Sequence, residues 1–439
     1  MGFYRKIETK LYSYYKDQDA KILIINGARQ IGKSFIIRET ARKAFNNYIE
    51  INLKDDFDGD GLFKSIKTPD DFYLQISALY GTKLGNINDT IVFLDEIQVY
   101  PHLLSLLKAL KQDNRYRYIC SGSLLGLTMR HTFIPMGSVE EIQMYPMDFE
   151  EFLLAEGVGK EVIEYLRECY VDVKDVSENI HITMLRKFKE YLICGGLPDS
   201  VKAFVVDKNI ARVRDNQKTT LSYYKDDASQ YDEKYNLIVR RVYDSLPSYM
   251  SYKVKRIVFN NIENKKQKDY YEYQDEFDYL IYSGCTLPTK AVSNPSFPLD
   301  ESKSKNLLKL YYNDVGILSG ILYQNNTQAI TQVDSGINLG SVYETAVAME
   351  LIAHEHNLYY FDSKKVGEVD FLINDYDGLS VVPIEVKSGK DQYNFRALPK
   401  LIDKDGNYKL KKGIVFGNKN ITRREDNLYI YPIYQVMFV

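Results

Sequence analysis

The run Gly27-Ala28-Arg29-Gln30-Ile31-Gly32-Lys33-Ser34 constrains this chain more than any other stretch. It satisfies G-x-x-x-x-G-K-[ST] in the setting that gives the pattern a mechanism: the apolar run Ile22 to Ile25 reads as a strand before it, and Phe35 to Ala44 as a helix after it. Glycines let backbone N–H groups wrap phosphate oxygens, Lys33 reaches the outer phosphates, and Ser34 offers a hydroxyl to Mg²⁺. Residues Gly27 to Ser34, with Phe35 opening the helix, are therefore the predicted ATP site. A second run fits the same chemistry. Ile91-Val-Phe-Leu-Asp95-Glu96 is an apolar strand ending in two carboxylates. Asp95 is placed to hold Mg²⁺ through water and Glu96 to polarise the attacking water, because positioning and charge stabilisation dominate phosphoryl transfer. After the next apolar run, Tyr116 to Cys120, comes Ser121-Gly-Ser123. Here Ser121 is the candidate contact to the γ-phosphate or the water, although an ordinary turn carries the same residues.

Short apolar runs at Ile22 to Ile25, Tyr48 to Leu53, Ile91 to Leu94 and Tyr116 to Cys120 alternate with helical patterns, as buried parallel strands do. The character changes after Pro146. Asp148 followed by Glu151 predicts a capping box for a helix over Phe149 to Ala155, and amphipathic helices continue to about Ala203. Helical segments from about Ile210 lead into Leu280 to Pro288, read as a helix end followed by a β-ribbon, a layout that suits a winged helix. Pro298 to Asn306, rich in Asp, Glu, Ser and Lys, is the predicted linker. Beyond it lies another α/β block, with strands near Asp370 to Ile373, Val381 to Lys387, Gly413 to Phe416 and Tyr429 to Tyr431.

Composition excludes several classes. With 45% hydrophobic and 27% charged residues in 439, the chain has material for several cores and is no disordered segment. Lys and Arg total 57 against 60 acids, a net charge of −3, so it is not polybasic as a whole. No apolar run approaches the 18 to 20 or so residues that cross a bilayer, and the first twenty residues lack the apolar centre of a signal peptide. A soluble cytoplasmic protein without a membrane partner is expected. Cys120, Cys169, Cys194 and Cys285 have no pairwise spacing of a metal finger and read as buried free thiols.

Taken together, the phosphate-binding run, LDEIQ (Leu94 to Gln98), CSGSLLG (Cys120 to Gly126), YPMDFEEFL (Tyr145 to Leu153) and YLICGGLPDSV (Tyr191 to Val201) resemble the prokaryotic AAA+ ATPases whose C-terminal part is the domain DUF4143. The resemblance covers nearly the whole chain. It implies an α/β protein: a P-loop NTPase (AAA+) core over 1–147, a helical lid over 148–209, a winged-helix-like segment over 210–305, and a restriction-endonuclease-like domain over 306–439. The family often has a basic residue where Ser138 follows Met136-Gly137 here, so no arginine finger is assigned at that point. Arg115, Arg117 and Arg130 remain near the strand before Ser121 and read as surface residues. Sites of this type often borrow an arginine from a neighbouring copy, which makes a homo-oligomer one expected partner.

In the last block, Gly367-Glu-Val-Asp370 is followed by Val382-Pro-Ile-Glu385-Val-Lys387. Side chains two apart in a strand share a face, so Glu385 and Lys387 are expected to converge with Asp370. Asp370 and Glu385 are candidate Mg²⁺ ligands, and Lys387 the candidate that orients or deprotonates a water attacking a phosphodiester. The pattern resembles that of PD-(D/E)xK nucleases, with Tyr343-Glu344 offering a further acid. A nuclease-like fold used only for binding or regulation fits the same residues. His354-Glu-His356 suits neither HxxxH nor finger spacing and reads as a solvated helix end.

Two local basic excesses point to a nucleic-acid backbone, DNA or RNA: nine Lys or Arg against three acids over 233–268, including Lys253, Lys255, Arg256, Lys265, Lys266 and Lys268, and eleven against three over 387–424. The leading expectation is an ATPase coupled to a nucleic-acid-contacting, nuclease-like C-terminal half. Its rivals are a STAND-like nucleotide switch with an inactive partner-binding C-terminal domain, and a nuclease that ATP merely gates.

Overall fold

The structure is a computed structural model and describes residues 2–86, 89–123, 137–231, 236–251, 256–263, 269–332, 337–389, 396–403, 407–408 and 410–439. The chain divides into two compact units, residues 1–145 with 282–284, and 146–281 with 285–439.

The first unit is built on β1 (Ile22–Asn26), β2 (Asn47–Asn52), β3 (Thr90–Asp95), β4 (Arg117–Gly122) and β5 (Val139–Gln143), paired in the order β2-β3-β4-β1-β5 with every pair parallel. Every residue of β1 and β3 is buried, the pattern of strands covered on both faces. Ile24, Val92, Leu94 and Cys120 share one core cluster with the helix Pro101–Asp113. Because β4 lies between β1 and β3, the C-terminal ends of all three open on one edge. The strand order reverses about β1, and an open parallel sheet forms its binding crevice at such a point.

In the second unit, Asp148 caps the helix Phe149–Ala155 and Glu151 completes the box, as the sequence predicts. Helices Lys160–Val171, Glu178–Cys194 and Pro198–Val205 follow. The unit's sheet is mixed: β6 (Thr286–Val292), β7 (Lys303–Tyr312), β8 (Leu358–Ser363), β9 (Gly367–Asp375), β10 (Ser380–Val386), β11 (Gly413–Gly417), β12 (Arg423–Glu425) and β13 (Leu428–Pro432) pair in the order β12-β13-β11-β10-β9-β8-β6-β7. The expected ribbon exists as β6–β7, but β6 also pairs in parallel with β8. It is therefore part of the C-terminal sheet and not the wing of a separate winged-helix segment. The predicted linker over Pro298 to Asn306 likewise holds a short 3-10 turn, Leu299–Ser302, and the start of β7. Its polar residues suit an edge strand as well as a linker. All four cysteines are buried, and no disulfide joins them.

Candidate functional site

The loop between β1 and the helix Lys33–Ala44 is held from three sides. Asn26 accepts from the Gly27 N–H and donates to Glu141 Oε1 at 2.8 Å, which ties the loop to β5. Gly27 has φ 152°, and a Cβ there would stand 2.4 Å from the Met144 carbonyl oxygen. Gly32 caps the helix at φ 90°, a left-handed conformation that costs glycine nothing. Beneath the loop, buried Arg5 donates to the Ile31 carbonyl at 3.0 Å and to the Tyr145 carbonyl at 2.7 Å. No local pattern marks Arg5, because its partners lie 26 and 140 residues away.

Lys33, largely buried, donates to the Gly27 and Ala28 carbonyls at 2.9 and 2.8 Å. Asp95 ends β3 among these groups. Burial pushes its carboxyl up, while hydrogen bonds from Ser121 and Ser34 and the charge of Lys33 pull it down. The registers Ile25 with Ser121 and Leu94 with Cys120 bring Ser121 level with Asp95, and its hydroxyl donates to Asp95 Oδ1. Ser121, expected at the γ-phosphate or the water, is thus engaged by the Asp95 carboxylate. The serine that touches Glu96 is Ser123, whose hydroxyl donates to Oε2 at 3.0 Å. Gln98 donates to the same oxygen. Glu96 itself sits at φ 55°, a strained setting for a non-glycine residue.

Arg29, Gln30, Gly32, Lys33, Ser34, Phe35, Asp95 and Glu96 line one open cleft of about 380 Å³. Asn52 and Lys54 also line it. Neither was read from sequence, since only the β2–β3 register, Asn52 with Asp95, brings them to this edge. A hydroxyl, a buried carboxylate, a lysine and a positive-φ glycine loop around one cleft fit a magnesium–triphosphate. Arg115 stacks 4.2 Å above the Tyr73 ring and pairs with Asp70 and Asp113, and Arg117 donates to the Tyr14 carbonyl. Arg130 and Leu124 to Gly126 lie outside the described residues.

In the second unit, the antiparallel ladder ends at the pair Phe371 and Ile384, the residues that adjoin Asp370 and Glu385 in the chain. Asp370 Oδ2 accepts from the Val386 N–H at 2.8 Å, and Lys387 donates to Glu385 Oε1 at 2.6 Å. The expected trio therefore meets. Burial and the neighbouring Asp370 push the Glu385 carboxyl up, against the pull of the Lys387 ammonium. Burial alone would lower Lys387, but the carboxylates of Glu385, Asp370 and Glu344 raise it. Glu385 Oε2 is buried without a hydrogen-bond partner among the described residues, an orphan that a cation or water would satisfy. Glu344 accepts from the Tyr311 hydroxyl at 3.2 Å, and Lys309, fully buried, pairs with Glu368 at 2.5 Å. Among the described residues, no three His, Cys, Asp or Glu side chains are grouped to hold a metal ion.

His354 does not lie free in solvent as expected. Its Nδ1 is 3.1 Å from a carbonyl oxygen of Val439, and its Nε2 is 3.8 Å from Asp148. Several expected basic-patch residues are engaged within the chain: Arg240 with Asp226, Lys412 with Asp375, Arg423 with Glu425, and Lys411 with the Gly378 carbonyl. Lys253, Lys255, Lys265, Lys266 and Lys268 lie outside the described residues.

Fold and cleft together define a P-loop α/β protein. Residues 19–153 match the family described as an AAA domain, residues 185–328 a domain of unknown function (DUF8612), and residues 339–436 the domain of unknown function DUF4143. An AAA domain in the N-terminal part and DUF4143 in the C-terminal part are the pairing that the sequence resemblance implies. No curated protein matches it. Among solved structures it is similar to a Walker-type ATPase of Pyrococcus abyssi, with 17% identity and a TM-score of 0.41 over 72% of this chain and 95% of that one. The Thermotoga maritima RuvB Holliday junction branch migration motor follows, with 14% identity and a TM-score of 0.29 over 65% and 89%. The Saccharomyces cerevisiae Hsp104–ADP complex gives 11% identity and a TM-score of 0.29 over 81% and 45%. Likenesses at this level carry no functional argument. No described helix is long and apolar enough to cross a membrane.

Proposed function

We propose that the first unit binds ATP with Mg²⁺ and hydrolyses it. The observation that carries this reading is the convergence of Lys33, Ser34, Asp95 and Glu96 on one cleft that Gly32, at the start of the helix, also lines. Ser34 and Asp95 would hold the metal, the backbone of Gly27 to Ser34 would hold the phosphates, and Lys33 would leave its two carbonyls to bind the outer phosphate oxygens. Bound Mg²⁺ supplies charge neutralisation across the phosphates. Glu96 orients and accepts a proton from the attacking water. Glu96→Gln is expected to keep ATP affinity while turnover falls by about 10² to 10⁴-fold, the usual range for general-base catalysis. Equal turnover in wild type and variant would overturn the role given to Glu96.

The finer reading couples this turnover to a nucleic-acid backbone at the C-terminal half, with Asp370 and Glu385 as cation ligands and Lys387 beside the reacting water. Its support is the meeting of those residues and the unsatisfied Glu385 oxygen. DNA-stimulated turnover with nicking that Asp370→Asn abolishes, while ATPase activity survives, is the expected result. One observation favours a regulatory switch as the second reading: Lys411, Lys412 and Arg423 are engaged by the chain's own groups. Tight nucleotide binding with slow turnover, no DNA response and no nicking would select it.

A further inference from the structure

The Glu96 carboxylate accepts two hydrogen bonds, and both fall on one of its oxygens. The Ser123 hydroxyl, almost wholly buried at the end of β4, donates to Oε2 at 3.0 Å, and the Gln98 side-chain amide, two residues beyond Glu96, donates to the same atom. Oε1 receives no hydrogen bond from the described residues, and the side chain lines the phosphate cleft. The terminal torsion of a glutamate is broad and two-fold, so a carboxylate without partners presents either oxygen indifferently. Two donors from separate segments, one just past the end of β4 and one on the turn after β3, remove that freedom. The left-handed backbone at Glu96 fixes the root of the same side chain.

We propose that Ser123 and Gln98 are positioning residues for Glu96, holding Oε2 so that Oε1 is the oxygen turned to the water attacking the terminal phosphate. This rests on the ATPase reading above and adds to it the residues that set the general base. The arrangement gives the two serines at the end of β4 separate tasks. Ser121 serves the metal-side carboxylate Asp95, and Ser123 serves the water-side carboxylate Glu96. Proper orientation of a catalytic group is worth orders of magnitude in rate, so loss of one donor costs turnover without costing nucleotide affinity.

The test uses the full chain with Mg²⁺ and radiolabelled ATP under single-turnover conditions, alongside equilibrium binding of a fluorescent ATP analogue. Ser123→Ala and Gln98→Ala are each expected to slow hydrolysis by about tenfold to a hundredfold, with analogue affinity unchanged and Ser123→Thr restoring the rate. In a Glu96→Gln background neither alanine variant should slow the residual reaction further, an outcome that a merely structural role does not give. Wild-type rates in both alanine variants, faster hydrolysis in either, or a loss that persists undiminished in the Glu96→Gln background would overturn the proposal. A wild type that binds the analogue without turning over ATP would instead overturn the hydrolysis reading, and the clamp with it.

Discussion

Replacing Lys33 by alanine is expected to lower ATP turnover by about 10² to 10⁴-fold and to weaken triphosphate binding. The estimate takes two charge-assisted hydrogen bonds to phosphate at about 1.5 to 3 kcal/mol each and converts their sum at 1.36 kcal/mol per tenfold. In the structure the ammonium group rests on the Gly27 and Ala28 carbonyls. Alanine therefore also removes two donors that satisfy the loop's own backbone, and some loss of stability accompanies the loss of function. Lys33→Arg separates the two effects: it keeps the charge and can still reach the carbonyls, but it brings a planar fork where the loop holds a compact ammonium. Isothermal titration with a non-hydrolysable ATP analogue and a turnover assay on all three proteins make the comparison. Unchanged affinity in Lys33→Ala would remove the nucleotide site from this loop.

Gly196→Ala is expected to destabilise the second unit by about 4 kcal/mol or more, the range in which a single substitution has an identifiable steric cause. The Gly196 carbonyl accepts from the Met147 N–H at 2.8 Å, and the Gly196 N–H donates to Asp314 Oδ2 at 2.6 Å. A Cβ at 196 would fall 2.0 Å from the Met147 carbonyl oxygen, and one at 195, where φ is 71°, would fall 2.2 Å from Asp314 Oδ1. Tyr191 closes the arrangement by donating to the Met147 carbonyl at 2.9 Å. The glycine pair in YLICGGLPDSV is thus a docking point for two backbones and a buried carboxylate. Urea unfolding followed by circular dichroism measures the loss, and a change below about 1 kcal/mol would mean that the loop yields.

Asp314 gives the same node a pH dependence. Burial pushes its carboxyl from 3.8 up to about 6, against the pull of backbone N–H donors from Gly196, Ile317, Gly316 and Leu197. Its folded value lies above its unfolded one, so between about pH 4 and 6 the folded protein keeps a proton that the unfolded chain releases. Stability then falls as pH rises through this window, by about 3 kcal/mol in all from this group. Asp314→Asn should flatten the slope by up to one proton while weakening the node, because its amide N–H₂ faces donors. Identical slopes in wild type and variant would rule out Asp314 as the titrating group.

Local signals were legible in this sequence wherever one continuous stretch supplies both the residues and their geometry. The phosphate loop is eight consecutive residues whose conformation follows from Gly27 and Gly32, so its place between strand and helix needed no tertiary information. Asp95 and Glu96 were legible because they end an apolar strand, and the helix Phe149–Ala155 because Asp148 and Glu151 cap it within one turn. The spacing of Glu385 and Lys387 implies a shared face by strand alternation, and in the structure Lys387 donates to Glu385 while Asp370 accepts from the Val386 N–H between them.

Tertiary structure decided whatever depends on register between strands or on partners far apart in the chain. Ser121 and Ser123 are indistinguishable as sequence, and only the lie of β4 beside β3 gives one to Asp95 and the other to Glu96. The β6–β7 ribbon reads locally as a wing, but it joins the large sheet because β8, about seventy residues further on, offers β6 a parallel edge. His354 reads as a helix end in solvent, but the folded chain brings a Val439 carbonyl oxygen and Asp148 to its two ring nitrogens. Arg5 carries no motif, and it supports the phosphate loop only because folding brings the carbonyls of Ile31 and Tyr145 to its guanidinium. A dihedral or a cap is set by neighbours in sequence, whereas a hydrogen-bond partner is set by whichever backbone the closed fold brings within 3 Å or so, and the cleft beside this chain's glycine loop depends on both.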